Sequence, residues 1–400
     1  MLNPGGPGGS GLAQPIFLKQ RGLSTELLDT YDLIGTDIRG IGHSRRSVAV
    51  SRPASSTTGP YLRTHTTPRH STNRRKRQRW WRTVAPPTTT SRMRHMTTAN
   101  MARDLDRIRA ALGEEKGNFL GYSYGTALGA AYASMFPTAT DRIVLGSNIG
   151  DTHLDHEGMR RYARGMKDTF PDFAKWAAAR HDRYGLGNTP QEVREKYFAI
   201  ADKLDRSPVD GVDGRLFRPA TFVALYNPAS YDATAQQWTA MRDGTPSDTP
   251  LAIRAGVADA DNSWSVFLAV MCNDVEWPSD PETYERAIDE DRQTYPLFGA
   301  AAASIMPCAF WQTDPATQPI AVEAEGPTNV LVTQHQRDPV TPHVNGERNN
   351  EKLGDRSRLL SVDGSGHGVF VLGTNACAQD VVTDYLVDGA MPDEDVTCPA

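Results

Sequence analysis

The sequence predicts an α/β fold: an open parallel sheet flanked by helices, with a mostly helical lid inserted after the first half of the sheet. Three observations carry this reading. Residues 118–120 read as a short buried strand running into Gly121-Tyr122-Ser123-Tyr124-Gly125, and residues 126–136 beyond it read as a helix of small residues ended by Pro137. Two further apolar runs, 329–333 and 358–362, each give way to a polar or glycine-rich turn, as strands do when they deliver loops to one rim of an open sheet. Between these halves, residues 151–325 are mostly helical in pattern. The 400 residues suffice for one large core with such an insertion. The expected division is a first part of the core over 1–150, the lid over 151–325, and the last part of the core over 326–400.

Along the chain, residues 3–11 (NPGGPGGSG) form a loop lacking side chains that would block its backbone amides. Met1-Leu2 precedes it directly, with no charged-then-apolar leader, so the strand delivering the loop is expected to be a stub and the chain truncated or its start misassigned. Residues 31–37 read as a strand and 39–44 as the turn behind it.

Residues 45–95 break the pattern: they hold thirteen lysines and arginines and no aspartate or glutamate. With a net charge of −5 on the whole chain, the remainder carries about −18. One reading is an out-of-frame stretch, disordered or poorly packed, which the absence of any helical or strand period favours. The other, less favoured, is a basic arm, bearing Trp80 and Trp81, for nucleic acid or an acidic surface.

From Met101 the apolar residues Met101, Leu105, Ile108 and Leu112 recur at helical spacing, ended by Gly113. Residues 143–145 are the strand after the Ser123 helix. In the lid, helices are expected at 158–169, 173–184, 190–204, 220–225 and 281–294, with 264–271 apolar enough to be buried. No apolar run approaches the ~20 residues that a membrane span needs.

The chemistry follows from Ser123. A serine on a strand-to-helix corner sits on a tight turn with its hydroxyl exposed, beside helix amides that favour developing negative charge. Such a nucleophile needs a base, an orienting acid and oxyanion donors. In α/β-hydrolases the acid and then the histidine follow the serine in chain order. Asp338 lies in the turn after 329–333 and His367 in the glycine-flanked loop after 358–362, so His367 would take the Ser123 proton and Asp338 fix its tautomer. His335, His343 and Asp363 are the alternatives nearby. The glycine loop at 3–11 would supply one oxyanion amide beside that of Tyr124. A phosphate loop is the weaker reading of those glycines, since no Gly-Lys-Ser/Thr ending follows. No cofactor is called for.

NPGGPGGSG, YDLIGTDIRGIGHS (31–44), GYSYG (121–125), RDPVTP (337–342) and GSGHGVF (364–370), in this order, resemble the actinobacterial tripeptidyl aminopeptidases. These are secreted α/β-hydrolases related to proline iminopeptidases, with a C-terminal segment peculiar to the group. The resemblance covers nearly the whole chain outside about 46–95. It implies a serine peptidase releasing short peptides from free N-termini, with nucleophile Ser123, acid Asp338, base His367 and oxyanion amides at Gly6 and Tyr124. It also implies a secreted protein, and it places a segment of this C-terminal type within 326–400.

Cys272 and Cys308 bracket part of the lid, and Cys377 and Cys398 bracket a C-terminal helix. Two spaced pairs suggest disulfides and an oxidising compartment, as the resemblance also implies. Free buried thiols are the alternative; metal ligation is disfavoured, because no Cys-x-x-Cys or His-x-x-x-His spacing occurs. An aminopeptidase must meet a substrate ammonium with carboxylate, and Asp274 and Glu276 are the candidates, beside a cysteine that could hold them rigid. Trp264, Trp277, Phe310 and Trp311 are candidates for an apolar subsite or for core. The leading expectation is therefore an aminopeptidase acting through an acyl-enzyme on peptides with free N-termini. An esterase or lipase-like hydrolase and an inactive truncated remnant are the alternatives.

Overall fold

The structure, a computed structural model, describes residues 1–44, 92–247, 260–311 and 318–400. The basic stretch expected at 45–95 lies outside the described residues up to position 91. Its tail corrects the expectation: Met93–His95 form a 3-10 turn with Met93 buried, and the Met93 carbonyl accepts from Asn273 Nδ2 at 2.7 Å. An apolar side chain and a satisfied carbonyl are enough to pack this turn before the helix Thr98–Ala111 begins.

Six strands form one sheet, all parallel and in chain order: β1 (Leu2–Asn3), β2 (Gly117–Tyr122), β3 (Thr140–Gly146), β4 (Val330–Arg337), β5 (Ser357–Ser365) and β6 (Val396–Cys398). Alternation along each strand feeds two cores. Phe119, Ile143 and Leu145 pack with the helices Thr98–Ala111 and Tyr124–Met135. On the opposite face Leu120, Val144, Leu331 and Leu360 pack with Gln14–Gln20 and Ala376–Asp388. The strand expected at 31–37 is not a ladder; it makes one parallel bridge, Gly35 to Leu2, with the Leu2 amide donating to the Ile34 carbonyl at 2.9 Å. Its neighbour among the described residues, β1, is two residues long, which limits the pairing to that bridge.

Between β3 and β4 the described chain is mostly helical and builds its own core of aromatic rings packed edge-on and tilted, among them Phe170, Phe173, Tyr197, Phe217 and Trp238. The helices expected at 158–169 and 173–184 are in fact one, His156–Ala178, that continues through Pro171, followed by the short His181–Tyr184. Burial of Phe170 and Phe173 on either side of the proline outweighs the lost helical hydrogen bond. The helix expected at 220–225 spans Gly214–Ala224, and Tyr231–Asp243 went unread because its polar residues mask the period.

This helical unit is pinned to the sheet's C-terminal rim. Thr169 Oγ1 donates to the Arg337 carbonyl at 3.0 Å, Arg337 pairs with Asp172 at 2.6 Å, and the His367 amide donates to the Tyr226 carbonyl at 2.8 Å. Disulfides join Cys272 to Cys308 and Cys377 to Cys398. Among the described residues, no helix is long and apolar enough to cross a membrane and no His/Cys/Asp/Glu cluster is arranged to hold a metal ion.

Candidate active site

Ser123 is the first residue past β2 and caps the helix Tyr124–Met135. Its backbone is at φ 56°, ψ −124°, a left-handed conformation that costs a side-chain-bearing residue about 1–3 kcal/mol. The surroundings enforce it: the Ser123 amide donates to the Gly146 carbonyl at 3.0 Å, and Thr126 Oγ1 donates to the Ser123 carbonyl at 2.6 Å. The flanking glycines are required by space. A Cβ at Gly121 would collide with the Gly125 carbonyl, and one at Gly125 would stand 2.9 Å from Asn3 oxygens.

The loop after β1 lies directly against this corner. A Cβ at Gly5 would be 2.9 Å from Ser123 Cβ and 3.2 Å from the Tyr124 amide nitrogen. Buried Asn3 accepts the Gly5 amide through Oδ1 at 2.9 Å, which shapes the loop and leaves Gly6 as the next residue along it. Nothing in the sequence marked Asn3 apart from its place before the glycines.

Asp338 follows β4 and is fully buried. Its Oδ1 accepts the amides of Val340 and Thr341, both at 2.9 Å, and its Oδ2 accepts Thr341 Oγ1 at 2.8 Å and His367 Nδ1 at 3.0 Å. Burial pushes this carboxyl up, but the His367 ring and the hydrogen bonds from His367, Thr341 and Ser147 outweigh it, holding the pKa below the ordinary carboxylate value. A carboxylate on Nδ1 selects the tautomer that leaves Nε2 with its lone pair. The alternatives are occupied elsewhere: His335 Nδ1 meets the Gly366 carbonyl, His343 meets Ser361 Oγ, and Asp363 pairs with Arg337. Ser123, Asp338 and His367 thus follow three strands of one parallel sheet at the same rim.

Asp274 and Glu276, expected together at an ammonium site, face different environments. Glu276 is exposed, whereas Asp274 is buried at the end of helix Ala260–Asp274 and caps the helix Thr98–Ala111. It accepts the Thr98 amide at 2.8 Å and the Thr98 hydroxyl at 2.6 Å, and that hydroxyl bonds the Tyr124 phenol at 2.6 Å. Sequence alone could not show that this carboxylate turns inward.

Burial raises the Asp274 carboxyl from 3.8 to about 7 against the pull of Thr98. A raised carboxyl stabilises the fold only while protonated, so its contribution is full below about pH 4 and is lost as the pH rises to about 7. Thermal melts should fall more steeply between about pH 4 and 7 for the wild type than for Asp274→Asn; equal slopes would contradict this.

Of the aromatic candidates, Trp277 and Trp311 donate to the Met271 carbonyl and Asn273 Oδ1, and Phe310 packs beside Tyr284. Trp264 stacks on Phe267, half-buried.

A parallel sheet delivering a strained serine, a buried carboxylate–histidine pair and a glycine loop to one rim defines a serine hydrolase of the α/β-hydrolase class. Residues 295–398 match the family model described as TAP-like protein. The whole chain aligns at 32% identity with 75% of the tripeptidyl aminopeptidase of Streptomyces coelicolor, and at 31% with 80% of the serine protease Hip1 of Mycobacterium tuberculosis. It also aligns at 29% with 79% of carboxylesterase B of Mycobacterium tuberculosis. The chain belongs to the tripeptidyl aminopeptidase family of α/β-hydrolases.

Proposed function

We propose that the protein is an aminopeptidase that releases short peptides from free N-termini through an acyl-enzyme. Ser123 Oγ attacks the scissile carbonyl while His367 Nε2 takes its proton, and His367 then passes that proton to the leaving amine. Water, activated by the same imidazole, releases the peptide. Asp338 keeps the imidazole in the accepting tautomer, and the amides of Gly6 and Tyr124 receive the oxyanion. The helical unit over 151–325 acts as the lid that restricts entry. The observation that carries the reading is the bond between His367 and the buried Asp338, on loops that follow two strands of the sheet whose neighbour ends in a serine held in a strained strand-to-helix corner. The relatives named for peptidase activity support the peptide substrate. Two disulfides support an exported protein, because such bonds persist in oxidising compartments.

The test compares tripeptide amides with free and acetylated N-termini and simple nitrophenyl esters. A strong preference for the free amine is expected; equal cleavage of the acetylated peptide would refute the aminopeptidase reading. An esterase is the second reading, favoured by the carboxylesterase among the relatives, and it predicts that only the esters turn over.

A further inference from the structure

Strand β3 ends at Gly146, and Gly146 with the next residue, Ser147, bonds Ser123, the strand that leads to Asp338 and the residue after His367. The Gly146 carbonyl accepts the Ser123 amide at 3.0 Å. Ser147 is fully buried and holds φ 57°, the left-handed region that disfavours any side chain. Its amide donates to the Thr333 carbonyl of β4 at 2.9 Å, and β4 leads into Asp338. Its hydroxyl oxygen accepts the amide of Gly368, the residue after His367, at 2.7 Å. The same hydroxyl helps to hold the Asp338 carboxyl below its ordinary value.

Glycine would meet the backbone demand at 147 with less strain. What a serine adds there is the hydroxyl, and a strained, buried residue retained at a site is one that its surroundings over-determine. We propose that Ser147 is a positioning residue of the triad: its hydroxyl holds the His367 loop on the end of β3, next to the backbone bonds that fix β4 and the Ser123 corner, and so keeps the base in register with acid and nucleophile. The inference rests on the assignment of Ser123, Asp338 and His367 given under Proposed function.

The experiment uses the full chain with Ser147→Gly and Ser147→Ala, reading kcat and KM on an activated ester, the rate of fluorophosphonate labelling, and thermal melting. Both variants lack the hydroxyl, but glycine relieves the backbone strain, so stability and activity separate. The expected result is a kcat loss of about tenfold to a hundredfold in both, KM changed less than about twofold, and Ser147→Gly melting no lower than Ser147→Ala. If alanine at 147 prevents folding, the glycine variant carries the test alone. A glycine variant with wild-type kcat and labelling rate, in a protein whose labelling depends on Ser123, overturns this inference and leaves the proposed function standing. Absence of Ser123-dependent labelling in the wild type overturns both.

Discussion

Ser123→Ala is expected to lower kcat/KM by a factor on the order of 10⁴ to 10⁶, with the protein still folded. The residual rate would come from binding and the oxyanion amides, which do not need the hydroxyl. Folding should persist because alanine meets the same backbone limits as serine at φ 56°, and the bond from residue 123's amide to the Gly146 carbonyl stays in place. The measurement is a steady-state assay on an activated ester together with a thermal melt. A folded variant that keeps more than a few per cent of wild-type turnover would remove Ser123 from the chemistry.

Asp338→Asn is expected to cost about 10⁴-fold in kcat, with a different signature. The carboxylate accepts the Val340 amide, the Thr341 amide and hydroxyl, and His367 Nδ1, and every one of these is a donor when the ring carries its proton there. An asparagine offers one acceptor and one donor. If its amide nitrogen turns to His367, Nδ1 must become the acceptor, and Nε2 then holds the proton and cannot take another from Ser123. If it turns to the other side, the buried amides of Val340 and Thr341 both lose their acceptor, at about 1–3 kcal/mol of stability each.

The pH dependence has a defined sign as well. The Asp338 carboxyl is held below its ordinary 3.8, so its contribution to stability is present above that value and lost as the pH falls through the folded one. The asparagine variant should therefore show a weaker loss of stability on acidification below about pH 4 than the wild type.

What could be read from the sequence was local. The Ser123 corner announces itself because strand, glycines and small-residue helix are contiguous, and Asp338 and His367 because each directly follows an apolar run with turn residues. Features set by distant partners stayed hidden. Residues 31–37 have strand-like composition, but the length of β1 decides how much of them can pair. Pro171 looks like a helix end until Phe170 and Phe173 are seen in one aromatic core. Asp274 reads as a surface carboxylate near a cysteine, yet the start of another helix, 176 residues earlier, claims both its oxygens. Ser147 carries no pattern at all; its positive φ and its bond to Gly368 exist only once β3 and the His367 loop meet.

The most direct test reacts the folded protein with a fluorophosphonate and maps the adduct by peptide mass spectrometry, followed by a crystal structure of the product. The prediction is one adduct, on Ser123 Oγ, with His367 Nε2 within hydrogen-bond reach of that oxygen and the phosphonyl oxygen against the amides of Gly6 and Tyr124. An adduct on another residue, or an imidazole too remote to have taken the proton, would contradict it.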